Sequence, residues 1–280
     1  MLLSDNSYGK SDVRLTKVTR RDGVHTLQEL TVTIMLRGSF DRVYTEGDNS
    51  LCIPTDTMKN TVYALAKTND FDTPESFGLL LATHFLDRFA HVAFVDVEAD
   101  ETPWERIPVD GGAHPHAFSR AGWAARTSMV SAGRVGAPRV TGGIAGLEVI
   151  KTTRSSFSDF LKDPYTTLPE TDDRIFATRI DATWAYESQA GVRPDTAERA
   201  RDAILRTFAE HDSKSVQQTI WEMGKAMLSA LPEIASVSLT MPNQHRIPVN
   251  LTPFSMTNAN EIFVATSEPY GLIKGTVARR

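Results

Sequence analysis

Cysteine is almost absent from the sequence, and this scarcity excludes two kinds of structure. Cys52 is the single cysteine among 280 residues, so one chain can form neither a disulfide framework nor a cluster of thiolate metal ligands. Proteins that do without disulfides are typical of reducing compartments. We therefore expect a cytoplasmic protein.

The sequence also lacks long apolar runs and an excess of basic residues. No run of about 18 apolar residues exists, so we expect no membrane-spanning helix. The net charge of −5 argues against a nucleic-acid partner, because a phosphate backbone requires a basic surface. The first ten residues are too short and polar for a signal peptide. The last three, Ala278-Arg279-Arg280, are not a peroxisomal address.

A glycine-rich phosphate loop following a strand is missing as well, which leaves nucleotide cofactors without support. The superficial match is GGIAG at 142–146. We interpret this segment as a bulge or turn between strands, where glycine is common.

What the sequence does contain is an ordinary globular composition, 41% hydrophobic and 23% charged, with length for two modest domains. Alternation on both sides of Asp22-Gly23 predicts a β-hairpin. Two helices follow, one from Asp56 and one after a cap at Thr73 with Pro74 at its first position. The strands expected in this half lie at 13–21, 27–36, 91–107 and 114–134.

The second half repeats this order of elements, although no residue-by-residue repeat is visible. Helices are expected from Asp195 and over 215–231, the latter with Val216, Ile220 and Met223 on its buried face. The strands expected in this half lie at 139–152, 174–187, 235–241, 246–252, 261–266 and 271–278.

The segment Ile53–Lys67, IPTDTMKNTVYALAK, combines polar and apolar features in one short stretch. Thr55-Asp56-Thr57 is a run that typically caps a helix N-terminus, where exposed N–H groups and the helix dipole favour anions. Such a mouth suits a small anionic or carbonyl-rich molecule. The segment is equally consistent with an ordinary capped surface helix.

His114-Pro115-His116 is the one segment that suggests a metal. In a strand, both imidazoles would lie on the same face within reach of one ion. No third ligand sits at a convincing spacing, and Asp110 is the only close carboxylate. We therefore predict no metal site.

Six segments, in this order and at these separations, resemble the urate oxidase (uricase) family over nearly the whole chain. They are YGKSDVR at 8–14, the segment 53–67, FSDFLKDPYTTLPETDDR at 157–174, SVQQT at 215–219, MPNQH at 241–245 and PYGLI at 269–273. The resemblance implies an α+β fold of two tandem T-fold units, antiparallel sheets with paired helices, at 1–138 and 139–280. It also implies a homotetramer whose sheets join around a tunnel, with active sites at subunit interfaces.

The resemblance assigns a proton relay to Lys10, Thr55 and His245. In isolation Lys10 reads as a surface charge and His245 as a loop histidine, but a lysine withdrawn from water beside a hydroxyl can act as a base. The threonine hydroxyl can pass one proton while accepting another.

The remaining positions that match the family are implied to bind the substrate. Arg174 suits a planar anion through its guanidinium fork, although an ion pair with Asp172 or Asp173 is the simpler alternative. Gln217 can donate and accept at an amide-like edge, and the Phe157 ring can stack on a flat heterocycle. The other implied substrate-binding residues are Thr55, Asp56, Leu168, Val216, Asn243 and Ile273, of which Asn243 holds dioxygen or water.

The implied activity is oxidation of urate by dioxygen and water to 5-hydroxyisourate and hydrogen peroxide, without a cofactor. Two alternatives stay open. One is another T-fold purine or pterin enzyme, such as a zinc-dependent cyclohydrolase, for which Cys52, His114 and His116 are the candidate ligands. The other is a member of the family that binds purines without turning them over.

Overall fold

The structure, a computed structural model, describes residues 1–122, 124–266 and 268–280. Its contacts divide the chain into two compact units. The first consists of Met1–Gly143 and Trp184–Ala197, and the second of Ile144–Thr183 and Glu198–Arg280.

The first unit is built from a four-stranded antiparallel arrangement in the order β1-β2-β3-β6, with helices packed on it. Its strands are β1 (Tyr8–Arg21), β2 (Val24–Gly38), β3 (Val92–Thr102), β4 (Trp104–Val109), β5 (Gly112–Arg120) and β6 (Ala125–Gly133). Its helices are α1 (Asp41–Thr45), α2 (Thr55–Thr68) and α3 (Pro74–Arg88).

The predicted hairpin is confirmed, because β1 and β2 pair antiparallel from Arg21 opposite Val24. Alternate residues of β2 face the helices and are buried to 1% exposure or less. These residues are Leu30, Val32, Ile34 and Leu36. Burying one face of a strand specifies its register, since a shift by one residue would turn the apolar set toward solvent.

Both predicted helices of this half are present. Thr73 and Ser76 form a capping box at the start of α3, with Pro74 in the first turn, as the sequence predicts. The helix also buries Glu75 completely, where its carboxylate contacts Arg126 at 2.9 Å and accepts a hydrogen bond from the Tyr186 hydroxyl at 3.0 Å. A buried carboxylate requires such partners. The sequence around Glu75 does not predict them, because Arg126 and Tyr186 are far away in the chain.

Three expectations need correction. The single strand expected at 91–107 is two strands, β3 and β4, which lie in different sheets. The single strand expected at 114–134 is two strands, β5 and β6, and position 123 between them lies outside the described residues. The segment 142–146 is part of a strand rather than a turn, although Gly146 has the positive φ of 86° that a bulge requires. At Gly142, a side chain would meet the Glu75 carboxylate 2.6 Å away.

The second unit contains the strand order β7-β8-β9-β12, in which β9 and β12 pair antiparallel. Its elements are β7 (Arg139–Lys151), β8 (Phe176–Tyr186), α4 (Thr196–Glu210), α5 (Val216–Ala230), β9 (Ile234–Asn243), β10 (Arg246–Pro248), β11 (Phe263–Ala265) and β12 (Gly271–Ala278). The unit boundaries fall inside β7, β8 and α4. The helix predicted at 215–231 is confirmed, with Val216, Ile220 and Met223 buried.

These elements confirm a mixed α and β fold with antiparallel sheets. The order of elements in each half also agrees with the order expected from the sequence. None of the helices that the structure describes is long and apolar enough to cross a membrane.

Candidate active site

Lys10 lies on β1 at a point where the strand is held unusually close to its neighbour. A Cβ atom on the preceding residue, Gly9, would lie 1.8 Å from the carbonyl oxygen of Ile34, so only glycine fits there. Directly after Lys10 the pairing of β1 with β2 shifts register before Val13. Bulges of this kind re-aim side chains beside functional sites, and Lys10 is half-buried here.

Thr55 is the first residue of α2, which packs against β1. The expectation that residues 55–57 cap this helix is wrong, because the N-cap residue is Pro54 and no side chain caps the helix. Thr55, Asp56 and Thr57 instead form the exposed first turn, where N–H groups remain available to an acceptor.

The Asp56 carboxylate is held within the helix. It accepts hydrogen bonds from Lys59 Nζ at 2.5 Å and from Asn60 Nδ2 at 2.9 Å. The Lys59 ammonium, and to a smaller extent Asn60 and Lys10, keep the pKa of Asp56 below its usual value. Lys10 therefore belongs to the electrostatic surroundings of the first turn of α2.

In the second unit, Phe157 and Arg174 are brought together by the loop that connects β7 to β8. The main chain of Phe157 exchanges hydrogen bonds with Thr171 at 2.8 and 3.0 Å, and Arg174 N donates to Ser155 O at 2.8 Å. The Arg174 guanidinium carbon lies 5.3 Å from the centre of the Phe157 ring, within the range of a cation–π contact. A loop without regular structure is thus held in place by its own backbone pairs.

Arg174 forms no ion pair with Asp172 or Asp173 within the part of the chain that the structure describes, so the simpler alternative for this residue is not supported. Burial alone lowers the pKa of its guanidinium. The side chain is half-buried, and its charge is not neutralised by a carboxylate there. Such an arginine is well suited to a planar anion.

A cavity of 570 Å³ in this unit brings four of the predicted site residues together. The four are Leu168, Arg174, Asn243 and His245. Its volume is in the range of small-molecule sites, about 300–1,000 Å³. The cavity is therefore the part of the predicted site that this unit assembles by itself.

His245 occupies a two-residue link between β9 and β10, and several bonds hold the backbone of this link. The carbonyl of His245 accepts from Thr266 N at 3.3 Å and from Thr266 Oγ1 at 3.2 Å. Arg246 Nη1 donates to the carbonyls of Gln244 and His245 at 3.3 and 3.2 Å. Gln244 N in turn donates to Ala177 O of β8 at 2.9 Å.

Three of the other predicted substrate-binding residues of this unit lie on regular elements and do not line that cavity as the described residues form it. Val216 and Gln217 begin α5, where Ser215 caps the helix by accepting from Gln218 N at 3.1 Å. Val216 is buried, whereas Gln217 is exposed. Ile273 lies in β12 opposite Met241, and Phe157 reaches the site through its contact with Arg174.

Sequence reasoning missed several residues that line the cavity, among them Arg246, Asn260 and Phe263. Arg246 directly follows His245 in the sequence, so its position beside a predicted site residue could have identified it. Asn260 and Phe263 come from the end of a long loop that returns because β10 pairs with β11. Two strands of three residues each carry too little pattern to reveal this pairing in advance.

His114 and His116 lie on β5 with their ring centres 4.5 Å apart. The described residues contain no group of three histidine, cysteine, aspartate or glutamate side chains suited to a metal ion. The donor set that a zinc enzyme would need is thus not assembled there.

The sequence is similar to proteins of one family over nearly its whole length. A family model described as Uricase matches residues 6–131 and 140–274. The uricase of Arthrobacter globiformis is 42% identical over 279 residues, which are the whole of this chain and 90% of that protein. The uricase of Aspergillus flavus is 38% identical over 287 residues, covering 97% of this chain and 95% of its own length.

The fold also resembles those of solved structures over nearly the whole chain. The crystal structure of the uricase from Arthrobacter globiformis matches with a TM-score of 0.94 and covers all of this chain and 95% of its own. The urate oxidase of Bacillus sp. TB-90 matches at 27% identity and a TM-score of 0.84, over 98% of this chain and all of its own. Fold and relatives together define an oxidoreductase built on antiparallel sheets with packed helices. The chain belongs to the uricase family.

Proposed function

We propose that this protein is a urate oxidase, which converts urate, dioxygen and water to 5-hydroxyisourate and hydrogen peroxide. The observation that carries the proposal is the cavity in the second unit, which Arg174 lines together with Asn243 and His245. This arginine is half-buried and has no carboxylate partner among the described residues. Urate is a small planar anion, and a bidentate guanidinium is the side chain best suited to one.

In this proposal the second unit binds and orients urate. Arg174 and Gln217 hold one edge of the purine through hydrogen bonds, and Phe157 stacks on its face. Leu168, Val216 and Ile273 form the apolar wall, and Asn243 holds dioxygen or water above the purine plane. The contact between Arg174 and Phe157 supports these roles, because it places the guanidinium and the aromatic ring beside each other.

The proton relay consists of Lys10, Thr55 and His245, and Asp56 stands beside it as a substrate-binding residue through its exposed backbone N–H group. An electron-rich urate dianion can itself reduce dioxygen, so the protein needs only to bind, deprotonate and position its substrates. We therefore propose a reaction that requires no cofactor.

The direct test is urate-dependent oxygen uptake by protein that has been treated with a chelator and analysed for metals. We expect full activity without stoichiometric zinc, copper or iron. Activity that disappears with the chelator and returns with one particular ion would support the cyclohydrolase-like alternative instead. Urate binding without loss of its ultraviolet absorbance would identify a member that binds purines but does not oxidise them.

We further propose that the chain forms two tandem T-fold units, at 1–138 and 139–280, which assemble as a homotetramer around a tunnel. The strand order supports assembly, because β1 ends the order in the first unit and β12 ends it in the second. Strands at the end of a sheet present unpaired backbone groups that favour pairing with another chain. The single cysteine supports a cytoplasmic location.

In such an assembly Thr55 of one chain completes the site that contains Arg174 of another. The test mixes two inactive variants, Thr55→Ala and Arg174→Gln, by co-refolding. Random mixing should restore about a quarter of the sites, since each of the two residues is intact in about half of the chains. Verified mixed oligomers that stay inactive would place the site within one chain. The control is the double variant co-refolded with wild type, which measures dilution alone.

A further inference from the structure

A hydrogen bond outside the relay connects the strand that carries Lys10 with the entry of the helix that carries Thr55. Ile53 N donates to the hydroxyl of Tyr8 at 2.7 Å. Tyr8 precedes Lys10 by two positions on β1, and Ile53 precedes Thr55 by two positions at the entry of α2. The bond therefore connects the strand that carries the base with the helix that carries the hydroxyl.

The surroundings of this bond are buried and apolar. The Tyr8 ring packs edge-on against Phe40, with ring centres 4.8 Å apart, and Phe40 is fully buried. Ile53 is buried as well, with 4% exposure. Burial raises the pKa of the Tyr8 phenol, so the hydroxyl stays protonated and neutral. Loss of the acceptor would leave a buried N–H without a partner, which is costly.

The entry of α2 has a particular need for this bond. Its N-cap is Pro54, whose side chain makes no capping hydrogen bond to the first turn. Helix ends are normally fixed by such caps. In their place, the residue before the N-cap is tied to β1 by Tyr8, while Gly9 and the bulge after Lys10 set the course of the strand.

We propose that Tyr8 is a positioning residue, whose hydroxyl ties the entry of α2 to β1 and thereby sets the distance between Lys10 and Thr55. The inference rests on the proposed function for the roles of Lys10 and Thr55. The hydrogen bond between Ile53 and Tyr8 is observed in the structure and does not depend on that function. Tyr8 therefore acts on the reaction through Lys10 and Thr55. A displacement of a catalytic group by about 1 Å is enough to reduce turnover strongly.

The first experiment compares Tyr8→Phe with Tyr44→Phe. Tyr44 is a matched control, because its exposed hydroxyl also bonds to backbone, but at Ser7 O (3.0 Å) and not at the entry of α2. We expect Tyr8→Phe to lower kcat about tenfold with KM changed less than about twofold, as for a misaligned relay. Tyr44→Phe should retain wild-type values. An unchanged kcat in Tyr8→Phe would overturn the proposal.

A double-mutant cycle separates positioning from a general loss of stability. In the Lys10→Met background, Tyr8→Phe should cost less than about twofold, because the group that it positions is gone. Losses that multiply fully would show that Tyr8 acts independently of Lys10 and would overturn the assignment. Replacing Tyr8 with 4-aminophenylalanine, whose amino group is a weaker acceptor at the same place, should restore part of kcat.

A second readout does not depend on activity. Cys52 precedes Ile53, its side chain interacts with the Tyr8 hydroxyl, and it is the single cysteine of the chain. The mass of the intact protein during alkylation therefore reports on this segment alone. We expect alkylation of Cys52 to be several-fold faster in Tyr8→Phe and unchanged in Tyr44→Phe. An unchanged rate would overturn the tie itself, whereas a wild type that does not oxidise urate would instead refute the proposed function.

Discussion

The residues proposed for the reaction are held in two different ways in the two units. In the first unit Lys10 and Thr55 stand on a long strand and on the first turn of a helix. In the second, Phe157, Leu168, Arg174 and His245 stand on loops, which backbone pairs and side-chain donors hold in place. Regular elements hold Lys10 and Thr55 precisely, and loops suit groups that must surround a ligand. His245 is the relay residue that a loop holds.

The two units also differ in whether their charged site residues are already paired. The Asp56 carboxylate is already occupied by Lys59 and Asn60 within its own helix. Arg174, in contrast, is half-buried and has no carboxylate partner among the described residues. In the second unit the Arg174 guanidinium is therefore available to a ligand. In the first unit the Asp56 carboxylate instead stabilises the first turns of α2.

The strongest test of the first unit is Lys10→Met, which keeps the apolar stem but removes the amine. We expect turnover to fall by on the order of 10²-fold or more, the usual scale for a positioned base. Urate affinity, measured by equilibrium binding without oxygen, should fall much less. Near wild-type turnover would remove Lys10 from the relay and leave its unit with a structural role.

The matching test of the second unit is Arg174→Lys, which keeps the charge but loses the planar fork. Urate binding should weaken by roughly 1–3 kcal/mol, in the range of hydrogen bonds to charged groups. Calorimetry with wild type and variant measures this difference, and a neutral purine such as hypoxanthine should bind poorly to both. Equal urate affinities would mean that the cavity does not bind its ligand through this arginine.

A smaller effect is expected from Arg246→Gln, which tests how a loop holds His245. The variant removes a charged donor from the carbonyls of Gln244 and His245, whose bonds are long at 3.3 and 3.2 Å. Turnover should fall about fivefold, the equivalent of about 1 kcal/mol. Arg206→Gln, on the exposed side of α4, is the control and should match wild type. A loss as large as that of Lys10→Met would mean that Arg246 contacts the substrate directly.

The smallest effect is expected from Asp56→Asn. An amide still accepts from Lys59 and Asn60, so turnover should change by about twofold or less, the scale of pairs on a helix surface. Lys59 keeps the pKa of Asp56 below its usual value, so the carboxylate is ionised throughout an assay range of about pH 6 to 9. The ratio of wild-type to variant rates should therefore be constant across that range. A ratio that changes with pH would indicate that the Asp56 charge takes part in the reaction.

The secondary structure could be predicted well because its signals are local. The Asp22-Gly23 turn, the cap at Thr73 and the spacing of Val216, Ile220 and Met223 each depend on a few neighbouring residues. The cap expected at residues 55–57 failed for a local reason too, since Pro54 takes the N-cap position. The strand expected at 114–134 failed because apolar alternation does not show where a chain leaves a sheet.

The candidate site could be predicted only at residues that lie in a recognisable sequence segment. Arg174, Asn243 and His245 could be named from sequence segments, and the structure brings all three to one cavity. Asn260 and Phe263 could not, because a pairing of two three-residue strands brings them there. The Tyr8 bond was equally hidden, since its partners are 45 residues apart.

By itself the sequence determined the class of fold, the family and the chemical types of the site residues, because periodicity, turn residues and side-chain chemistry are properties of short segments. The tertiary structure decided which groups are buried, which charges are already paired and which loops meet. Burial and pairing depend on residues far apart in the chain. For that reason only the folded protein distinguishes Arg174, whose charge is available to a ligand, from Asp56, whose charge is used within its own helix.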